Sequence, residues 1–193
     1  MTLPSEFDNT HMPLAWEFIS NMKRIFAANF LKQSDIICDI GNQGKNLSEF
    51  SGFEVQTLDI SESSCPDIVA DITKTNEHIS PESFDALICT EVLEHVVDPF
   101  SAVRELRRMV RIGGYILVTV PLNTRIHGPI PDCWRFTEFG LKVLLRDFDW
   151  VYFRKLDTPG RSLFPLHYGI IVRNIYPPNQ NTDPRDLVFS PVN

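Results

Sequence analysis

Residues 84–99 read FDALICTEVLEHVVDP, and they contain a strand, a polar strand end and a helix start in succession. The run Phe84 to Cys89 is short, apolar and β-prone, and it stops at the polar pair Thr90-Glu91, as a buried strand does. Pro99 then opens a helix over 99–110, in which Phe100, Val103, Leu106 and Val110 share one stripe. Gly113-Gly114 is expected to break that helix before YILVTV (115–120), the most β-prone strand of the chain.

The same alternation extends in both directions. Upstream, residues 35–40 form an apolar run closed by Gly41, FEVQTL (53–58) a second closed by Asp59, and residues 67–70 a third before Asp71. Before these, residues 13–31 place Leu14, Phe18, Met22, Ile25 and Phe26 on one helical face, with Pro13 in the first turn. Downstream, Thr137-Glu138 opens a short helix through about Leu145, and 150–156 and 167–175 supply two late strands. Strands that alternate with helices predict a mostly parallel sheet covered by helices on both faces. The expected organisation is one α/β domain over 1–176, with an N-terminal helical segment at 1–31 and a Pro- and Asn-rich tail at 177–193 expected to be poorly ordered.

Composition narrows the class. With 43% apolar and 22% charged residues in 193, the chain is an ordinary globular one, and no apolar run approaches the ~20 residues needed to cross a bilayer. With neither span nor signal-like N-terminus, a cytoplasmic protein is expected. Cys38, Cys65, Cys89 and Cys133 form no CxxC and are read as reduced. A net charge of −7 argues against nucleic acid as a partner, since phosphate binding needs clustered Lys and Arg. The charge is uneven: 8 Lys+Arg against 18 Asp+Glu over 1–110, and 10 against 7 over 111–193. The first part therefore suits a cationic or polyhydroxyl ligand, although a solvated acidic surface accounts for most of those charges.

In an open α/β sheet the ligand lies beyond the carboxyl ends of the strands, so the strand ends are the candidate site. Asp39-Ile40-Gly41-Asn42-Gln43-Gly44-Lys45-Asn46 follows the first strand, where glycines let backbone approach a ligand. Asp59 ends the second strand, where a carboxylate can accept hydrogen bonds from both ribose hydroxyls. A nicotinamide-binding reading would need G-x-G-x-x-G and a P-loop would need Gly-Lys-Ser/Thr, and the chain has neither.

Taken in order, Cys38 to Pro121 resembles the class I S-adenosylmethionine-dependent methyltransferases, most specifically in residues 84–99 followed by Arg104-Glu105-Leu106 and Gly113-Gly114-Tyr115. The likeness continues through His127, Pro131-Asp132 and residues 134–137, a pattern similar to small bacterial methyltransferases associated with saccharide and cell-surface biosynthesis. The resemblance implies a Rossmann-like sheet of seven strands, the last antiparallel, and S-adenosylmethionine as cofactor. It also implies Asp39, Gly41, Asn42 and Gln43 at the methionine part, Asp59 and Ile60 at the ribose, Asp71 and Ile72 at the adenine, and Thr90 and Glu91 beneath the cofactor where the acceptor enters. The family loop D-x-G-x-G-x-G is altered here, with Gln43 and Lys45 at its last two glycine places and a glycine displaced to Gly44.

Methyl transfer to a hydroxyl needs a group to take the proton. His127, after the fifth strand, is the first candidate, with Asp132 to orient it; His95 and Glu91 follow. Glu91, Glu94, His95 and His127 together also form a mixed oxygen and nitrogen set that suits a divalent cation and resembles the metal sites of ubiquinone-pathway O-methyltransferases and small-RNA 2′-O-methyltransferases. Hydrogen bonding of Glu94 and His95 to the sheet end is favoured over metal binding. Trp134, Arg135 and Phe136 are read as core anchors before acceptor walls, and His11, His78 and His167 have no chemical context. The expected function is O-methylation of a small molecule or saccharide. A metal-assisted RNA 2′-O-methyltransferase and a non-catalytic methyltransferase-like partner protein are the alternatives.

Overall fold

The computed structural model describes residues 5–41, 47–161 and 163–178. Its centre is one seven-stranded sheet of order β3-β2-β1-β4-β5-β7-β6. The strands are β1 (Ile36–Ile40), β2 (Glu54–Asp59), β3 (Ile68–Val69), β4 (Phe84–Thr90), β5 (Val110–Pro121), β6 (Phe148–Asp157) and β7 (Pro165–Asn174). The first five run parallel, while β7 inserts antiparallel between β5 and β6. Strand order reverses between β1 and β4, and that switch point is where such sheets open a crevice for ligand.

Successive residues of β4 point to opposite faces, so both must be covered. Ala86 and Ile88 pack with Met22 and Phe26 of α1 (Glu6–Phe30), while Leu87 and Cys89 pack on the other side with Leu106 of α2 (Pro99–Met109) and Leu141 of α3 (Glu138–Leu144). Asp98 caps α2 by accepting from the backbone N–H groups of Phe100 and Ser101, with Pro99 behind it. Thr137 caps α3 in the same way through Gly140 N–H.

Two expectations are corrected. The N-terminal helix starts at Glu6, which places Pro13 inside α1 and not in its first turn. Proline removes one backbone donor there, but side-chain bonds from Thr10 to the Glu6 carbonyl and between His11 and the Phe7 carbonyl support the turns before it. The Gly113-Gly114 pair does not end α2, which stops at Met109; both glycines lie within β5. A Cβ on Gly114 would stand 2.5 Å from the Asp85 carbonyl oxygen, where the β4–β5 register shifts, so close backbone approach explains the residue.

Candidate active site

A cavity of about 1050 Å³ opens over the carboxyl ends of the strands. In sheet order its lining runs from Asp71 and Ile72 after β3, through Asp59 and Ile60 at β2 and Gly41 after β1, to Glu91 after β4 and His167 in β7. Phe7, Met12, Trp16 and Ile19 of α1 and Ile126 and Ile130 of the loop after β5 add apolar walls. Strand ends thus supply the polar groups, and the helix and loop supply the hydrocarbon.

Gly41 has φ +72°, and a Cβ on it would meet Val92 Cγ2 at 2.6 Å, so no other residue fits that turn without displacement. Asp59 is buried at the strand end; one carboxylate oxygen accepts from Ser61 N–H at 2.7 Å, which fixes the side chain beside the cavity. Asp71 is taken up by its own turn, accepting from the Thr73 N–H and hydroxyl and pairing with Lys74 at 3.2 Å. Burial opposes its charge, yet these bonds hold its carboxyl below the ordinary range. Asp39 and Thr90 are buried and do not line the cavity. Asn42 and Gln43 lie outside the described residues, as do the other residues of the altered glycine loop through 46.

In the loop after β5, Asp132 is the organising residue. Its carboxylate accepts from the His127 N–H at 2.9 Å and from Arg135 at 2.7 Å, and it stands 3.3 Å from His127 Nδ1. Burial works against the charge, but the guanidinium and the N–H outweigh it and hold the carboxyl at about 2. His127 Nδ1 also lies 3.2 Å from the Arg125 carbonyl, so the proton belongs on Nδ1 and the basic lone pair on Nε2. Asp132 does not itself line the cavity; it acts through His127. Arg135 stabilises the same loop by donating to the Arg125 carbonyl at 3.0 Å.

Glu94 lies beneath this loop with its side chain fully buried. Its backbone carbonyl accepts from Cys133 and Trp134, tying the loop to the end of β4, but neither carboxyl oxygen has a hydrogen-bond partner among the described residues. Burial first, and the charge of Glu91 second, push the carboxyl up to about 9. His95 Nε2 and His127 Nε2 stand 3.7 and 3.8 Å from Glu94 Oε1, and the two rings meet edge to face at 5.0 Å. His95 Nδ1 bonds the Pro131 carbonyl, which aims its Nε2 at Glu94.

Glu94, His95 and His127 offer ligand atoms all within 4.8 Å of one another, and the orphaned carboxyl oxygens fit a divalent cation. The fourth expected donor is elsewhere: Glu91 accepts from Thr119 Oγ1 and pairs with His167 Nε2, each at 3.0 Å. Its left-handed backbone, φ +58°, turns the side chain away from Glu94 toward β5 and β7. Trp134, Arg135 and Phe136 are not cavity walls; Phe136 packs in the core, and Trp134 stacks on it while donating to the Val96 carbonyl. His167 is the residue that sequence reasoning missed.

Residues 38–118 match the family model described as methyltransferase domain. The ubiquinone biosynthesis O-methyltransferase of Aliivibrio fischeri is 30% identical over 124 residues, 63% of this chain and 47% of that protein. The same-named protein of Pseudomonas syringae is 34% identical over 127 residues, 56% and 51% of the two chains. The chain spans about half the length of these curated relatives. Among solved structures, a methyltransferase from Methanosarcina mazei aligns with TM-score 0.59 at 22% identity over 76% of this chain and 95% of the other. The N-methyltransferase NodS from Bradyrhizobium japonicum aligns with TM-score 0.62 at 15% identity, covering 84% and 97%. A Burkholderia thailandensis N1-methyltransferase, solved with S-adenosylhomocysteine and its didemethyltoxoflavin ligand, aligns with TM-score 0.58 at 16% identity over 91% and 92%. Among the described residues no helix is long and apolar enough to cross a membrane.

Proposed function

We propose that this chain is a class I S-adenosylmethionine-dependent methyltransferase that methylates a hydroxyl of a small acceptor with an apolar body; the methyltransferase-domain match over 38–118 and the O-methyltransferase relatives support the reading. The observation that carries the reading is the cavity itself. At about 1050 Å³ it stands at the upper end of the roughly 300–1,000 Å³ range of ligand pockets, and it joins a polar strand-end region to an apolar one. Room for two ligands side by side is what group transfer needs. Apolar walls favour such an acceptor over a saccharide, and the O-methyltransferase relatives favour oxygen as the atom methylated.

When bound, S-adenosylmethionine supplies an electrophilic methyl group on sulfur. In this reading Asp59 accepts the ribose hydroxyls, and the Gly41 turn admits the methionine part. The α1 side chains Met12, Trp16 and Ile19 exclude water from the acceptor. His127 Nε2 takes the acceptor's proton, while Asp132 holds the imidazole by Nδ1 and stabilises it once charged. The test is to incubate the protein with S-adenosylmethionine and a panel of hydroxylated aromatic and aliphatic compounds, following S-adenosylhomocysteine and a 14-dalton mass gain in the acceptor by mass spectrometry. Methylation confined to sugars or RNA would refute the acceptor class.

A second reading is favoured by the orphaned oxygens of Glu94: Glu94, His95 and His127 hold a divalent cation. Activity abolished by a chelator and restored by Mg²⁺, Mn²⁺ or Zn²⁺ is its signature, and full activity in excess chelator excludes it.

A further inference from the structure

Glu91 and His167 lie 76 residues apart in sequence, yet they form a nearly buried pair at the cavity wall, with side chains 12% and 3% exposed. The pair stands apart from the cluster of Glu94, His95, His127 and Asp132, and its charge state follows from its hydrogen bonds. His167 Nε2 lies 3.0 Å from Glu91 Oε2, so its proton points at the carboxylate. The other ring nitrogen, Nδ1, is buried with no hydrogen-bond partner among the described residues. A second proton there would bury an unsatisfied cationic N–H, whereas a bare lone pair is far less costly. The geometry therefore assigns a neutral imidazole that donates through Nε2, and Thr119 Oγ1 donates to the other carboxylate oxygen. The unit as a whole keeps one negative charge. The push on Glu94 has the same origin, since the charge of Glu91 is second only to burial among its causes.

The position of that charge matters. Glu91 directly follows β4, which lies beside β1 at the switch point of the sheet, where Gly41 lines the same cavity. It is thus the carboxylate one strand further toward the acceptor side than the Gly41 turn, whereas Asp59 at the end of β2 and Asp71 after β3 lie at the other side of β1. Asp71 is already paired with Lys74. The left-handed backbone of Glu91, uncommon for a residue with a side chain, is held by the bond from Glu91 N–H to the Thr119 carbonyl at 3.0 Å.

Resting on the cofactor assignment above, we propose that Glu91 gives the cavity its preference for the cationic sulfonium form of the cofactor over the neutral thioether product, and that His167 is the positioning residue that holds the Glu91 carboxylate in place. S-adenosylmethionine carries one positive charge more than S-adenosylhomocysteine, on sulfur, and the two are otherwise alike apart from the methyl group. A fixed negative charge across the cavity attracts the first and is indifferent to the second. The product then leaves in favour of fresh cofactor, and inhibition by accumulated product is relieved.

The experiment is calorimetric titration of S-adenosylmethionine and of S-adenosylhomocysteine into the full chain and three variants at one pH and salt concentration. Glu91→Gln keeps the shape and removes the charge. It is expected to lower the ratio of the two dissociation constants, product over cofactor, on the order of 10-fold, about 1.4 kcal/mol, mainly by weakening S-adenosylmethionine. His167→Leu strips the carboxylate of a donor and shifts the ratio the same way, while His167→Gln, whose amide N–H can reach the same oxygen, restores it toward the parent value. A ratio within 2-fold of the parent in Glu91→Gln, or equal weakening of both ligands, overturns the proposal. If Glu91→Gln fails to fold, the His167→Leu and His167→Gln pair decides by the same ratio, and equal ratios in the two overturn it. Binding of neither ligand to the parent chain defeats the cofactor assignment itself, an outcome distinct from binding with an unchanged ratio.

Discussion

Replacing Asp132 with asparagine keeps the size of the side chain and removes the charge that Arg135 and the His127 N–H hold. The carboxyl sits at about 2, against an ordinary 3.8. That difference corresponds to about 2 kcal/mol of folding stability at neutral pH. A depressed pKa contributes stability that is present above pH ~4 and lost as the pH falls toward ~2. Asp132→Asn should therefore be less stable than the parent by about 2 kcal/mol at pH 7, a fall in Tm of roughly 4–8 °C for a chain of this size. The gap should shrink as the pH approaches 2. Urea unfolding of both proteins at pH 7, 4 and 3 measures it. S-adenosylhomocysteine affinity should hold, because Asp132 does not line the cavity. A gap under ~0.5 kcal/mol at pH 7, or one of constant size down to pH 3, would refute the argument that Asp132 carries a charge-assisted network.

Other consequences are open to measurement. His127→Ala should bind S-adenosylhomocysteine like the parent yet turn over on the order of 10²-fold more slowly with an accepted substrate; near-parental turnover across pH 6 to 9 would make His95 the next candidate. Glu94 titrates in the opposite sense to Asp132: its carboxyl is raised to about 9, so the folded state binds more protons, and the parent should lose stability as pH rises from ~4.5 toward ~9. Glu94→Gln, measured in chelator, should flatten that slope, and parallel pH–stability curves for the two proteins would count against a neutral buried carboxyl.

The sheet was legible because each strand announces itself by a short apolar run with a polar end, and because Asp98-Pro99 and Thr137 are helix caps with a local mechanism. Local signals failed where tertiary structure decides. Nothing near His167 marks it, because its partner Glu91 is brought to it by the antiparallel insertion of β7, which sets Pro121 opposite His167. The sequence groups Glu91 with Glu94, His95 and His127 as one donor set, but a left-handed residue just after β4 sends the Glu91 side chain the other way. The first turns of α1 could not be read as a cavity wall, since Phe7, Met12 and Trp16 gain that role only when the helix docks against the sheet. Trp134 and Phe136 illustrate the converse, aromatic residues near the site that serve packing.

Calorimetric titration of S-adenosylhomocysteine into the parent chain and into Asp59→Ala tests the central claim most directly, because Asp59 is the buried strand-end carboxylate fixed by Ser61 beside the cavity. Saturable one-to-one binding to the parent, weakened on the order of 10-fold or more in Asp59→Ala, is the predicted result, as expected for loss of a charge-assisted pair of hydrogen bonds. Absence of binding to the folded parent, or equal affinity in the two proteins, would contradict it.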